Sequence, residues 1–214
     1  FLVSLIVSVT IRVLQLVFTI DPTTGFVKEQ YSSVSFAITG VVIAAAAIAV
    51  LFSLFYAGSA DSKLNDGVFT GIAAIILSLG ICTEMVGRIA EENAKGNIGL
   101  SVFDIFSLSA AVFFAVYGLS VFFKFRLHGI YYAIPIVYFT GKLVCMFINV
   151  AYLALITDNI FLIAGACFTL MFMLELGKKK NGYDKSKVNK KLLASALGTV
   201  FFNTVTVLPQ LIGG

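Results

Sequence analysis

Tryptophan is absent from this sequence, histidine occurs once, and only 12% of the 214 residues are charged. Because roughly a quarter of the residues in a soluble domain are charged, this scarcity of charge excludes a water-soluble fold of this size. With His128 as the single histidine, histidine-based metal sites and serine–histidine pairs within the apolar segments are unsupported. Neither a Gly-x-Ser-x-Gly motif nor a phosphate-binding glycine loop occurs. We therefore expect a protein that is not an enzyme and holds no metal or other cofactor.

Cysteine is also rare, and its placement excludes two further classes. Cys82, Cys145 and Cys167 all fall inside apolar segments and lack Cys-x-x-Cys spacing, which is typical of small buried side chains rather than a disulfide framework or a metal site. The formal net charge of +4 comes mostly from one lysine-rich segment. A charge confined to one segment beside apolar runs is typical of membrane topology, so we expect no nucleic-acid partner.

Apolar residues dominate what remains, at 59% of the chain with a mean hydropathy of +1.01. They form runs close to the ~20 residues that a helix needs to cross a bilayer. The sequence thus predicts an all-α integral membrane protein, in which one domain over 1–214 is a bundle of about seven transmembrane helices joined by short loops. Thr157 and Asp158 are the only polar residues between the fifth and sixth runs, which predicts a tight antiparallel pair. The predicted spans are 1–20, 34–57, 67–90, 100–123, 130–155, 159–176 and 192–212.

A lysine-rich segment, residues 177–191, gives the predicted orientation. It holds seven of the fifteen Lys and Arg residues, and clustered lysines beside a span stay on the cytoplasmic face. Counting alternate loops from that face gives ten basic residues inside and three outside. We therefore expect a plasma-membrane protein whose N-terminus and 177–191 loop are cytoplasmic and whose C-terminus is outside. Besides the bilayer itself, anionic lipid head groups at Lys178–Lys191 are expected partners.

Ionisable residues inside the predicted spans are the candidate functional groups, because each costs roughly 2.5–3.5 kcal/mol at the centre of a bilayer. Glu84 and Arg88 are four residues apart and can pair along one helix face. Asp104 is then a candidate partner for Arg12 or Lys142. Most of these charges lie in the outer half of the bundle or at its midplane. With polar residues on the same face or at similar depth, the candidate ligand-binding set is Lys142, Asp104, Arg12, Glu84, Arg88, Tyr138, Asn149 and Asn203.

Two functions fit this arrangement. The first is a small-solute permease or transport subunit with a polar site in the outer half of the bundle, where an excess of cations favours a small anionic or zwitterionic solute. The alternative is a non-catalytic membrane scaffold or sensor module whose intramembrane charges are structural ion pairs. An unrecognised membrane enzyme is a third class, for which no motif is present.

Small residues and proline add packing expectations. One stripe of small residues runs from Ala37 to Ala47, another runs from Ser107 to Gly118, and a Gly-x-x-x-Gly motif ends at Gly71. Such stripes let helix backbones approach closely in lipid. Pro135 is expected to kink the fifth span before Lys142.

The predicted orientation can be tested with an impermeant thiol reagent on intact cells. In a background where Cys82, Cys145 and Cys167 are replaced by alanine, Ser186→Cys is expected to stay unlabelled because the lysine-rich segment is cytoplasmic. Lys95→Cys, after the third span, is the matched control and is expected to react. Labelling of Ser186→Cys in intact cells would overturn the orientation.

Overall fold

The computed structural model describes residues 1–19, 27–56, 67–95, 101–150, 156–182 and 185–213, and seven α-helices account for most of these residues. Two short 3-10 turns, Glu29–Tyr31 and Gly129–Tyr132, precede the second and fifth helices. The helices are α1 Leu2–Thr19, α2 Ser32–Tyr56, α3 Val68–Ala94, α4 Val102–Phe123, α5 Ala133–Val150, α6 Ile156–Lys180 and α7 Lys185–Gly213.

All seven helices are long and apolar enough to cross a membrane. The predicted all-α bundle of seven spans is therefore confirmed, and the chain is a multi-pass membrane protein. The lysine-rich segment 177–191 is not one long loop, because α6 continues to Lys180 and α7 begins at Lys185. Lysine has a high helix propensity, and lysines in the last turn of α6 also interact favourably with the helix dipole.

The boundary between the fifth and sixth helices also differs from the expectation. Thr157 and Asp158 lie in the first turn of α6, which begins at Ile156, so the prediction that these two residues form the connection between the helices is wrong. An acidic residue is favourable near a helix N-terminus, which suits Asp158 to this place. Residues 151–155, between the two helices, lie outside the described residues.

The helices pack in two groups that α6 connects. α3 packs on α4 and α4 on α5, while α1, α2 and α7 pack against one another; α6 contacts both α5 and α7. One core is built mainly from α3, α4, α5 and α6 around Phe113, Tyr117 and Tyr138. The other joins α2, α6 and α7 around Phe161 and Phe202.

The first helix buries its polar face and exposes its apolar one. Its buried residues, at helical spacing, are Ser8, Arg12, Gln15 and Thr19, whereas Leu2, Val3, Ile6, Val17 and Phe18 are exposed. This pattern is the reverse of that in a soluble amphipathic helix. It suits a medium in which apolar side chains face lipid and polar ones must find partners inside the protein.

Close packing of α3 on α4 depends on two glycines. A Cβ atom built on Gly118 would lie 2.8 Å from the carbonyl oxygen of Gly71 and 2.6 Å from Cγ1 of Ile75. Ser78 Oγ, on α3, donates a hydrogen bond of 2.7 Å to the carbonyl oxygen of Ala111 on α4. The expected close approach along the second small stripe is therefore confirmed at Gly118.

The first small stripe does not lie at a helix interface in the part of the chain that the structure describes. Its members Ala37, Gly40, Ala44 and Ala47 are all exposed, and no atom of the described residues lies within 4 Å of a Cβ built on Gly40. The buried face of α2 instead includes Ser35, Thr39, Val42 and Ala46. Ser35 and Thr39 are polar, and they bind Gln15 on the polar face of α1. The spacing of small residues alone does not reveal this interface.

Pro135 also lies where it does not disrupt a helix. It is the third residue of α5, directly after the turn Gly129–Tyr132. The N–H groups of the first turn have no partner within a helix, so proline is tolerated there. The expected kink within the fifth span is therefore wrong, and Pro135 instead marks the start of α5.

Replacing Gly118 by alanine tests the contact between α3 and α4. We expect Gly118→Ala to lower the free energy of unfolding by about 1–3 kcal/mol, because the added methyl group overpacks a backbone contact. The matched control is Gly87→Ala on α3, where a Cβ meets nothing within 4 Å and unfolding should change little. Both are measured by thermal or denaturant unfolding in detergent, and equal stability of the two variants would contradict the packing argument.

Candidate functional site

Four charged side chains from three helices meet in the bundle, and we call them the charge chain: Lys142, Glu84, Arg88 and Asp104. Glu84 and Arg88 lie one turn apart near the end of α3, and Asp104 lies in the first turn of α4. Because consecutive packed spans run antiparallel, the end of α3 lies beside the start of α4. Lys142 reaches the same region from the middle of α5.

Positive and negative groups alternate along the charge chain. Lys142 Nζ lies 2.7 Å from Glu84 Oε2, and Glu84 Oε1 lies 3.8 Å from Arg88 Nη1. Arg88 Nη2 in turn lies 3.2 Å from Asp104 Oδ1. Two cations and two anions balance, so the charge chain has no net formal charge.

The Asp104 end of the charge chain is rigidly held. Ser101 and Asp104 form a capping box at the start of α4, which satisfies backbone N–H groups that the helix itself leaves unpaired. Asp104 Oδ2 accepts hydrogen bonds from the backbone N–H of Ser101 at 3.0 Å and from its hydroxyl at 2.8 Å. With 2% of its side chain exposed, Asp104 is enclosed and positions Arg88.

Arg88 has further contacts that hold its guanidinium against α4. Its Nη2 donates to Ser107 Oγ at 2.7 Å, and its guanidinium carbon lies 4.5 Å from the ring centre of Phe103. Phe103 stacks on Tyr138 of α5 with 5.7 Å between ring centres. Arg88 Nε is buried and has no acceptor among the described residues, so one donor of the guanidinium remains unused.

Exposure is lowest at the Asp104 end of the charge chain and much higher at its other three members. The exposed side-chain fraction is 2% for Asp104, 30% for Arg88, 27% for Lys142 and 40% for Glu84. Asp104 therefore belongs to the enclosed framework, whereas the bridge between Lys142 and Glu84 lies open. This open part offers a cation and an anion side by side, an arrangement that can bind a molecule carrying both charges.

The structure brings five of the eight sequence-predicted residues together: Glu84, Arg88, Asp104 and Lys142 in the charge chain, and Tyr138 through Phe103. The expected pairing of Glu84 with Arg88 is confirmed, although at 3.8 Å it is the longest contact of the charge chain. The expected partner of Asp104 is wrong. It is Arg88 rather than Arg12 or Lys142, because the antiparallel packing of α3 on α4 places Arg88 closest.

Arg12 lies at a different interface. It donates a hydrogen bond to Gln15 Oε1, and its guanidinium carbon lies 5.0 Å from the ring centre of Phe161 on α6. Gln15 Nε2 donates to Ser35 Oγ at 2.7 Å and to the Ser35 carbonyl oxygen at 2.9 Å. Arg12 and Gln15 therefore connect α1 to α2 and α6, away from the residues of the charge chain.

Asn203 and Asn149 also stand apart from the charge chain. Asn203 is on α7 and packs on α6, where its Oδ1 would lie 2.8 Å from a Cβ built on Gly165. Its Nδ2 is 3.5 Å from Thr169 Oγ1. The side chain of Asn149, in the last turn of α5, lies outside the described residues.

Sequence reasoning missed three residues that the charge chain uses: Ser101, Phe103 and Ser107. The spacing Ser101-Val-Phe-Asp104 before an apolar run is the signature of a capping box, so the role of Ser101 could have been predicted from the sequence. Ser107 was assigned to the small-residue stripe, and its hydroxyl oxygen also accepts a hydrogen bond from Arg88. For Phe103, one among 21 phenylalanines, no sequence signal separates it from lipid-facing residues.

Two apolar cavities lie elsewhere in the bundle, and no residue of the charge chain lines either one. One of about 210 Å³ lies among α3, α4 and α6, and one of about 680 Å³ lies among α1, α2 and α7. Across the described ranges, no group of three or more His, Cys, Asp or Glu residues is placed to hold a metal ion.

Removing the enclosed carboxylate is expected to destabilise the protein. Asp104→Ala leaves Arg88 without its anion and removes the α4 cap, so the free energy of unfolding should fall by about 2–3 kcal/mol. The control is Glu91→Ala, which removes an exposed carboxylate near the end of α3 and should change stability by less than about 0.5 kcal/mol. Unfolding in detergent measures both, and an unchanged Asp104→Ala variant would refute the enclosed role.

No protein-family model, no curated protein and no solved structure matches this chain.

Proposed function

We propose that this multi-pass membrane protein is a small-solute permease or transport subunit, and that its solute binds at Lys142, Glu84 and Arg88. The observation that carries the proposal is the open bridge between Lys142 and Glu84. Its two charged groups lie 2.7 Å apart, within membrane-spanning helices, and remain 27% and 40% exposed.

Exposure of these charges within the spans requires a polar neighbour. Hydrocarbon offers no hydrogen bonds to a carboxylate or an ammonium group, and ionisable residues in spans mark solute and ion pathways. An ion pair whose only role is to stabilise the bundle would be enclosed by protein, as the ion pair at the Asp104 end of the charge chain is. The exposed part of the chain is therefore suited to water and a solute.

The balance of charge favours a zwitterionic solute over a simple anion. Arg12, which made the sequence-predicted set cationic, lies at the α1 interface, and the remaining charges cancel. A solute carboxylate would take the position that the Glu84 carboxylate holds between Lys142 and Arg88, and Glu84 would then pair with the solute ammonium group. In this scheme the solute replaces the bridge between Lys142 and Glu84, and the bridge reforms when the solute leaves.

A non-catalytic scaffold or sensor module is the second candidate. The short 2.7 Å contact between Lys142 and Glu84 favours it, because a tight ion pair joins α3 to α5 without any ligand. Under this function the charge chain only fixes helix positions. Neither candidate assigns a catalytic step, so we propose a protein that is not an enzyme.

The location of the site follows from the proposed orientation. With the lysine-rich end of α6 and α7 in the cytoplasm, the Arg88–Asp104 end of the charge chain lies towards the outside of the plasma membrane. Solute would then enter from outside at Glu84 and Arg88 and reach Lys142 near the midplane, since Lys142 lies about nine residues, or ~14 Å, into α5.

Binding of matched probes to the purified protein tests the proposal. A panel of zwitterionic amino acids is expected to raise the thermal unfolding temperature, whereas the same molecules with an amidated carboxylate or an acetylated amine should not. The reason is that each modified probe leaves one side of the opened bridge without a partner. Uptake of the stabilising amino acid into proteoliposomes then measures transport.

A double-mutant cycle at Lys142 and Glu84 separates the two candidates. For a solute site, Lys142→Ala and Glu84→Ala each abolish probe binding and change unfolding by less than about 1 kcal/mol, since the pair is exposed. For a structural pair, each single variant is destabilised and the double variant is no worse than either. That second result, together with no stabilisation by any amino acid, would overturn the permease proposal.

A further inference from the structure

The apolar cavity at the lysine-bearing end of the bundle opens sideways from the protein. It has a volume of about 210 Å³ and lies between α3 and α6, with α4 and the turn Gly129–Tyr132 as its floor. Leu77, on its α3 edge, is 37% exposed, and Ala73 beside it is exposed as well. Because both are on spanning helices, this opening faces the hydrocarbon of the membrane.

Only apolar and aromatic groups form the deeper walls of the cavity, including Phe113, Tyr132 and Met173, all of which are buried. An apolar void of roughly 150 Å³ is enough to hold a benzene ring. A cavity of about 210 Å³ that is open to lipid can therefore take part of an acyl chain.

Basic residues lie at the end of the cavity nearest the aqueous phase. Lys178, Lys179 and Lys180 form the last turn of α6 and begin two residues after Leu176, which lines the cavity. Lys180 Nζ lies 5.8 Å from the ring centre of Tyr117, and Tyr117 also lines the cavity. The ammonium group of Lys180 and the apolar void are therefore separated by a single aromatic ring.

A second basic segment lies next to this lysine turn. Lys124 and Arg126, both exposed, follow α4 and lead into the turn Gly129–Tyr132. That turn touches the end of α6: a Cβ built on Gly129 would overlap the Asn181 side chain, and one on Gly177 would lie 3.3 Å from Tyr132 Cβ. We call these two segments, Lys124–Arg126 and Lys178–Lys180, the basic rim.

We propose that the cavity binds one acyl chain of an anionic phospholipid and that the basic rim binds its phosphate. The combination specifies this ligand, because a lateral apolar cleft selects a chain already in the bilayer and clustered lysines select an anionic head group. The site lies at the opposite end of α3 and α4 from the charge chain. It is independent of the proposed transport function and holds equally for a scaffold.

The lack of native tryptophan allows a direct test with a single introduced fluorophore in the purified full chain. Phe172 lines the cavity, so fluorescence of Phe172→Trp should be quenched by phospholipids with brominated acyl chains. We expect half-maximal quenching by brominated phosphatidylglycerol at about tenfold lower concentration than by brominated phosphatidylcholine, because the basic rim attracts the net negative charge of phosphatidylglycerol. Met171→Trp, next in sequence and 52% exposed, is the matched control and should not distinguish the two lipids.

Charge removal completes the test. In the Phe172→Trp protein, Lys179→Ser combined with Lys180→Ser should abolish the preference for phosphatidylglycerol over phosphatidylcholine. Lys95→Ser, beyond the other end of α3, should preserve that preference. Excess glycerol phosphate should leave the quenching unchanged. Equal quenching of Phe172→Trp by both lipids would overturn the proposal. Displacement of the brominated lipid by glycerol phosphate would also overturn it, because the basic rim would then bind a soluble phosphate.

Discussion

The contacts of the Arg88 guanidinium group are the interactions on which the relative positions of α3, α4 and α5 depend. The group binds Asp104 and Ser107 on α4, lies against Phe103, and joins Lys142 of α5 through Glu84. Because hydrocarbon offers no hydrogen bonds, a charge in a span must be neutralised by groups from neighbouring helices. One side chain therefore couples the positions of α3, α4 and α5.

The two ends of the bundle differ chemically, because the charges that must be neutralised between helices lie towards one end only. Towards the Arg88–Asp104 end, alternating charges join α3, α4 and α5. Towards the lysine-bearing end, α3 and α4 meet through Gly71 and Gly118, and an apolar cavity opens beside them. The proposed solute site and the proposed lipid site therefore use the same two helices at opposite ends. A lipid bound at the proposed site between α3 and α6 would contact α3, the helix that carries Glu84 and Arg88.

Much of the fold could be predicted because the hydrophobic requirement of the bilayer applies to each segment of the chain separately. The length of each apolar run set the number of helices, four-residue spacing predicted the contact between Glu84 and Arg88, and small residues predicted the close approach at Gly118. Predictions failed where the answer depended on a neighbouring helix. The stripe on α2 faces outward, Asp104 binds Arg88, and Pro135 begins α5 instead of kinking it.

By itself, the sequence determined the membrane class, the seven helices and the asymmetric distribution of lysines, since hydropathy and charge act on each segment separately. Only the tertiary structure decided which charges meet. Arg12, Lys142 and Asp104 look alike in sequence, as single charges in apolar runs. Their difference appears only when helix packing gives Asp104 an enclosed pair with Arg88, gives Lys142 an open one with Glu84, and places Arg12 against α2 and α6. The physical reason is that ion pairs between helices depend on distances between side chains far apart in sequence.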